Sequence, residues 1–106
     1  MKLTTEIKVP SNELQFLQNA VNEPNPDLRR DEVVFENTAK FSDNNWALFQ
    51  VIASSNPSEE SCWTQIVLFD PNGNEIACSD VSENILGPCE FFYIDGTAYT
   101  VNVVEG

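Results

Sequence analysis

Two turn signatures constrain this chain more than anything else in it. Asp70-Pro71-Asn72-Gly73-Asn74 and Asp95-Gly96 each stand between runs of alternating β-branched and aromatic residues. Asp-Gly in that setting is the strongest short-range hairpin signal, because a two-residue type I′ turn needs positive φ at both central positions. It sets Ile94 opposite Thr97 and Phe92 opposite Tyr99, with Phe92, Ile94, Tyr99, Val101 and Val103 sharing a core face. In the first signature Pro71 presets φ and Gly73 takes the left-handed position of a three-residue loop with a bulge. That register places Leu68 opposite Ile76 and Ile66 opposite Cys78. Both hairpins fall in residues 41–106, which carry ten carboxylates and no Lys or Arg. The best-specified β structure in the chain is therefore of one charge sign.

The rest of the chain reads around these hairpins. Residues 3–9 alternate, with Leu3, Thr5, Ile7 and Val9 on one face, as a half-buried strand does. Pro10 ends it, Ser11 is a good N-cap, and residues 12–22 form a short helix. Leu14, Leu17 and Val21 fall on its apolar face with Ala20 and Phe16 beside them, and Glu13 complements the helix dipole. Pro24 and Pro26 make a loop of the next segment, which also holds the adjacent bases Arg29 and Arg30. A second strand spans 32–41, with Val33, Phe35, Asn37, Ala39 and Phe41 facing one way. Turn chemistry follows at Ser42-Asp43-Asn44-Asn45. Residues 46–55 and 62–69 are apolar on both faces, as central strands are. Residues 75–79 form the return strand of the first hairpin and 80–88 read as irregular. The pattern predicts an α+β fold in a single domain, residues 1–106. It is an antiparallel twisted β-meander of six to seven strands with one short N-terminal helix packed on one face.

The formal net charge is −12, from 17 acids against five bases. This exceeds the magnitude of about 2–8 that small domains usually carry, and the self-repulsion costs stability. Either solubility or function accounts for it. Direct contact with nucleic acid or with an anionic membrane is disfavoured, since both need a basic face. Cys62, Cys78 and Cys89, in the absence of any His, exclude the usual Cys/His zinc patterns and any Ser–His or Cys–His nucleophile. The odd number and the spacing predict reduced thiols buried as small hydrophobes, although a Cys62–Cys78 or Cys78–Cys89 disulfide in a secreted form stays open. The first residues have no apolar leader and no run of about 18 apolar residues occurs, so the expectation is a cytoplasmic protein, monomer or dimer.

Asp70, Asn72 and Asn74 match the first half of a calcium loop, but Glu75 stands where such a loop needs Gly and Val81 where it needs Glu. A plain turn is expected there, with no metal and no cofactor. Glu59-Glu60, or Asp80 with Glu83, could in principle act as acid and base, but nothing marks a cleft around them. Trp46, Trp63, Phe91 and Tyr93 could make a stacking platform for a sugar, although aromatics at strand spacing are usually core. Phe91 and Tyr93 lie opposite the core face of the last hairpin, under the helix or in an exposed apolar patch. The remaining signal is the acids in turns and exposed strand positions: Glu59, Glu60, Asp70, Glu75, Asp80, Glu83, Glu90, Asp95 and Glu105. Strand neighbours on one face are about 6.6 Å apart, so such acids can line up as rows of negative charge. A row of this kind can stand in for a phosphate backbone in a basic cleft.

Size, acidity and the closing hairpin Tyr93-Ile94-Asp95-Gly96-Thr97-Ala98-Tyr99-Thr100-Val101-Asn102-Val103-Val104-Glu105 make the chain similar to small acidic anti-CRISPR proteins of phages and mobile elements. Among these it resembles the Cas9 inhibitors that act as DNA mimics. The strands Trp46-Ala47-Leu48-Phe49 and Ile66-Val67-Leu68-Phe69 are similar in kind, and the resemblance covers the C-terminal two-thirds. It implies a stoichiometric inhibitor, without catalysis, that fills the basic nucleic-acid cleft of a nuclease such as a Cas effector. The alternative reading from the residues is an accessory domain that binds a protein through an apolar patch or a sheet edge.

Overall fold

A computed structural model of the chain describes residues 1–22, 32–53, 63–81, 85–90 and 94–106. Within these the elements run β1 (Lys2–Val9), α1 (Ser11–Asn22), β2 (Glu32–Lys40), β3 (Trp46–Ala53), β4 (Trp63–Phe69), β5 (Glu75–Val81), β6 (Gly87–Glu90) and β7 (Ala98–Glu105). One helix and seven strands give an α+β fold, mostly antiparallel.

The strands form two sheets rather than one continuous meander. β2, β3, β4 and β5 pair antiparallel in chain order, and this sheet is the expected meander. β3 and β4, apolar on both faces, occupy its two central positions, where both faces of a strand can be shielded. The second sheet has the order β1-β7-β6. There β1 and β7 run parallel, from Lys2 opposite Ala98 to Val9 opposite Glu105, and β6 is antiparallel to β7. Alternation of side chains is the same in parallel and antiparallel strands, so residues 3–9 carried no hint of this long-range pairing. The segment 80–88, expected to be irregular, lends its ends to β5 and β6.

The two sheets and the helix share one core. Ala47, Phe49, Val51, Ile66 and Leu68 line the inner face of the four-stranded sheet. Ile7, Val9, Tyr99, Val101, Val103 and Cys89 reach it from the three-stranded sheet, and Leu17 from α1. Leu14 and Val21 pack at the margin of this core, while Phe16 is exposed, so it does not belong to the buried helix face. The helix begins at Ser11 itself: Glu13 N donates to Pro10 O at 3.0 Å. Ser11 is not the expected cap, because its hydroxyl is turned to Gly106 O at 3.4 Å.

Two bulges alter the expected faces. The β2–β3 register shifts between Val33 and Phe35, and Val33, expected on one face with Phe35 and Phe41, is left exposed. The β4–β5 register shifts between Leu68 and Phe69, so Leu68 faces Ala77 and Ile66 faces Ser79, in place of Ile76 and Cys78. The turn is the expected three-residue loop, and the slip comes from an extra residue, the exposed Ile76, in the strand after it. The slip also carries Cys78 to an exposed position, whereas Cys89 is buried. Cys62 lies outside the described residues.

Candidate functional site

The clearest built feature is the end of the molecule where three turns meet. In the β2–β3 turn Phe41 N donates to Asn45 O at 2.7 Å and Asn44 N to Phe41 O at 3.1 Å, with Asn44 at φ 73°. The β4–β5 turn repeats this geometry. Asp70 N donates to Asn74 O at 2.9 Å and Gly73 N to Asp70 O at 3.0 Å, with Gly73 at φ 86°. Both are three-residue loops whose last residue is left-handed, a position that Gly and Asn tolerate best. In the third turn Ile94 and Thr97 exchange both backbone bonds, with Asp95 at φ 49° and Gly96 at φ 80°, as the type I′ expectation requires. Phe92, its expected partner for Tyr99, lies outside the described residues.

Carboxylates lock the first two of these turns. Asp70 accepts from Asn72 N and Asn74 N at 2.9 Å each and from Asn74 Nδ2 at 3.1 Å. Those bonds, led by the Asn74 contacts, hold the Asp70 carboxyl below the ordinary carboxylate value. The Asp70-Asn72-Asn74 series is thus a hydrogen-bonded turn whose donors point at the carboxylate. Asp43 accepts from Asn45 N at 3.0 Å and from the buried Tyr99 hydroxyl at 2.5 Å, while Asn45 Nδ2 donates to Tyr99 Oη at 2.9 Å. Burial, then the bond to Asp43, raises the Tyr99 phenol above its usual value. This clamp ties the β2–β3 turn to β7 and so ties the two sheets together.

The outer face of the four-stranded sheet starts at the same end. Trp46 and Phe69 stack there with centroids 4.3 Å apart and planes 16° from parallel, and Trp46 Nε1 donates to Asp70 O at 3.1 Å. Three cross-strand rows follow from the register: Lys40–Trp46–Phe69–Glu75, Thr38–Leu48–Val67–Cys78 and Glu36–Gln50–Gln65–Asp80. In the last row Gln65 Nε2 donates to Gln50 Oε1 at 2.9 Å and Gln50 Nε2 to Glu36 Oε2 at 3.1 Å. A shallow hollow of about 540 Å³ opens between Thr38, Lys40, Asn44, Trp46 and Pro71. Among the described residues, no group of three or more Cys, Asp or Glu is placed to hold a metal ion. Nor is any helix among them long and apolar enough to cross a membrane.

The acids singled out by sequence divide as follows. Asp70, Glu75 and Asp95 belong to the turn end, and Glu75 and Asp95 are exposed. Glu105, exposed, closes β7. Asp80 and Glu90 lie in β5 and β6, opposite Gln65 and Thr100 in register. Glu59, Glu60 and Glu83 lie outside the described residues, as do Phe91 and Tyr93. Two acids were missed. Glu36 joins the outer face because β2 forms its edge, and Asp43 joins the turn end through Tyr99. The Asp43-Asn44-Asn45 turn signal marked the loop but carried no sign of its partner, 56 residues away. The bases Lys2 and Lys40 also stand at the turn end, Lys2 in register with Ala98. No protein-family model, no curated protein and no solved structure matches this chain.

Proposed function

We propose that this protein is an acidic, non-catalytic ligand for a basic nucleic-acid-handling protein, its carboxylates standing where DNA phosphates would. A nuclease such as a Cas effector is the partner class that fits best. One observation carries the reading. The acids of the base-free stretch sit on a hydrogen-bonded scaffold in which turns hold Asp43, Asp70 and Asp95 at one end, with Glu75 beside them. A fixed, predominantly acidic array, with Lys2 and Lys40 the bases at its margin, loses little entropy when it meets a cationic cleft, and its net charge steers the encounter at long range.

The test is capture from host lysate on the immobilised protein. Ionic strength is set at 0.1 M, where the Debye length is about 10 Å, and at 1 M, where it is about 3 Å. The expected result is a nuclease or other DNA-binding protein retained at low salt, released at high salt and displaced by duplex DNA. Retention that ignores both salt and DNA would refute the reading. Replacing Glu59, Glu60 and Asp80 by Lys is expected to abolish capture, and unchanged capture would remove these three residues from the contact.

A further inference from the structure

The outer face of the four-stranded sheet has a pattern that the charge reading alone does not require. α1 and the three-stranded sheet pack against the opposite, inner face. On the outer face the two central strands offer an apolar strip of Trp46, Leu48 and Phe69, all half-buried, with Val67 buried between them at 5% exposure. Charged positions flank it on the edge strands: Glu36 and Lys40 on β2, Glu75 and the register position of Asp80 on β5. Glu36, Lys40 and Glu75 are exposed. Three of the four corners are therefore acidic, and Lys40 is the fourth.

The spacing selects a shape of occupant. From β2 to β5 is three strand spacings, about 14 Å. An α-helix with its side chains is about 10–12 Å across, so it fits between the flanks on top of β3 and β4. The Glu36 row and the Glu75 row are two rows apart, about 13 Å along the strands. A helix covers that length in about nine residues. An extended strand would add at a sheet edge and leave the central strip uncovered, whereas a helix buries an i, i+3, i+4 stripe on it.

We propose that this face is the docking surface for a basic amphipathic helix of the partner. Its apolar stripe lies on Trp46, Leu48 and Phe69. Its Lys or Arg side chains reach down both sides to Glu36 and Glu75, with a neutral or acidic residue facing Lys40. The proposal rests on the reading of the protein as a ligand for a basic partner and names the element of that partner it grips.

The probe is a synthetic helical peptide of about 18 residues, roughly 27 Å long, with a Leu stripe flanked by Lys and Arg. Its control is a scrambled peptide of identical composition. Calorimetry measures affinity, and amide shifts of the labelled protein locate the contact. The expected result is binding of the helical peptide, with shifts at residues 46–50 and 65–69, and affinity at least about tenfold weaker for the scrambled peptide. Leu48→Lys is expected to cost at least about tenfold as well, because it puts a cation under the apolar stripe. Thermal unfolding checks that this variant is folded. Glu36→Lys with Glu75→Lys, both at exposed side chains, provides a second variant, expected to weaken binding several-fold. Equal binding of both peptides, no binding of either, or affinity untouched in the folded variants would each overturn the proposal. Capture of a DNA-displaceable partner that survives Leu48→Lys would sink the helix site and leave the broader function standing. Peptide binding as expected, with lysate capture indifferent to DNA, would do the reverse.

Discussion

Tyr99→Phe tests one of the contacts that join the two sheets, beside the bonds from Thr5 Oγ1 to Lys40 O and from Asn37 Nδ2 to Lys8 O. The Tyr99 ring is 4% exposed and meets Phe41 edge-on, with centroids 5.0 Å apart and planes 77° from parallel. Phenylalanine keeps that contact and leaves no cavity, so the substitution isolates the hydroxyl. The hydroxyl donates to Asp43 at 2.5 Å and accepts from Asn45 Nδ2 at 2.9 Å. A hydrogen bond to a charged group contributes about 1.5–3 kcal/mol. Asp43 is exposed and keeps its bond from Asn45 N, which places the expected loss at the lower end, about 1.5–2 kcal/mol. For a chain of this length that lowers Tm by about 6–8 °C. Urea unfolding gives the free energy and thermal unfolding the Tm, and a cycle with Asp43→Ala gives the pairwise coupling. The phenol supplies a second readout. Its folded value lies above the ordinary 10.0, through burial and then Asp43. The native state therefore holds the proton more tightly than the unfolded chain does. That stability is fully present below the unfolded value and is lost as pH rises past it. Tyr99→Phe is accordingly expected to lose less stability above pH 10 than the wild type. A variant as stable as wild type, with the same alkaline limb, would refute the clamp.

Asp70→Asn is expected to destabilise at neutral pH, with the deficit shrinking as pH falls below the ordinary carboxylate value of 3.8, because a depressed carboxyl contributes only while ionised; acid titration of both proteins followed by circular dichroism measures this. Gly73→Ala forces Cβ into a left-handed residue that has open space around it, so strain alone is expected to cost about 1–2 kcal/mol in chemical unfolding. Phe49→Ala, fully buried at the inner face, is expected to cost about 3–5 kcal/mol, and Leu48→Ala, half-buried on the outer face, clearly less; equal costs would contradict the assignment of the two faces. Added salt is expected to raise Tm, since 17 acids against five bases leave mostly repulsive pairs, and a scanning series in NaCl reads the sign directly.

Local signals carried the local structure. The Asp95-Gly96 turn, the loop at Pro71-Asn72-Gly73, the apolar face of α1 and the central places of β3 and β4 were all legible, because each depends on residues a few positions apart. What was not legible depends on the two ends of the chain meeting. Residues 3–9 alternate equally well for a parallel or an antiparallel neighbour, so the pairing with β7 had no local trace. The bulges at Val34 and Ile76 likewise have no signature, since both are β-branched residues that suit a regular strand. Yet one extra residue at Ile76 exchanges the faces of Ala77, Cys78 and Ser79 relative to β4. Of the candidate acids, sequence could mark turns but could not say which carboxylates the turns themselves would use.

That last distinction bears on what the acids can do. Asp43 and Asp70 accept hydrogen bonds from their own turns, so their oxygens have less capacity left for a partner's Arg or Lys. In Asp70 accepting those bonds favours the ionised form. Both carboxylates add to the negative field at the turn end while contributing little directional contact. Glu75 and Asp95, exposed beside them, and Glu36, held by Gln50, keep oxygens that a partner can reach. Under the proposed function, long-range attraction and close contact fall to different carboxylates. Neutralising Asp70 should slow association and disturb the fold, whereas neutralising Glu75 should speed dissociation with the fold intact.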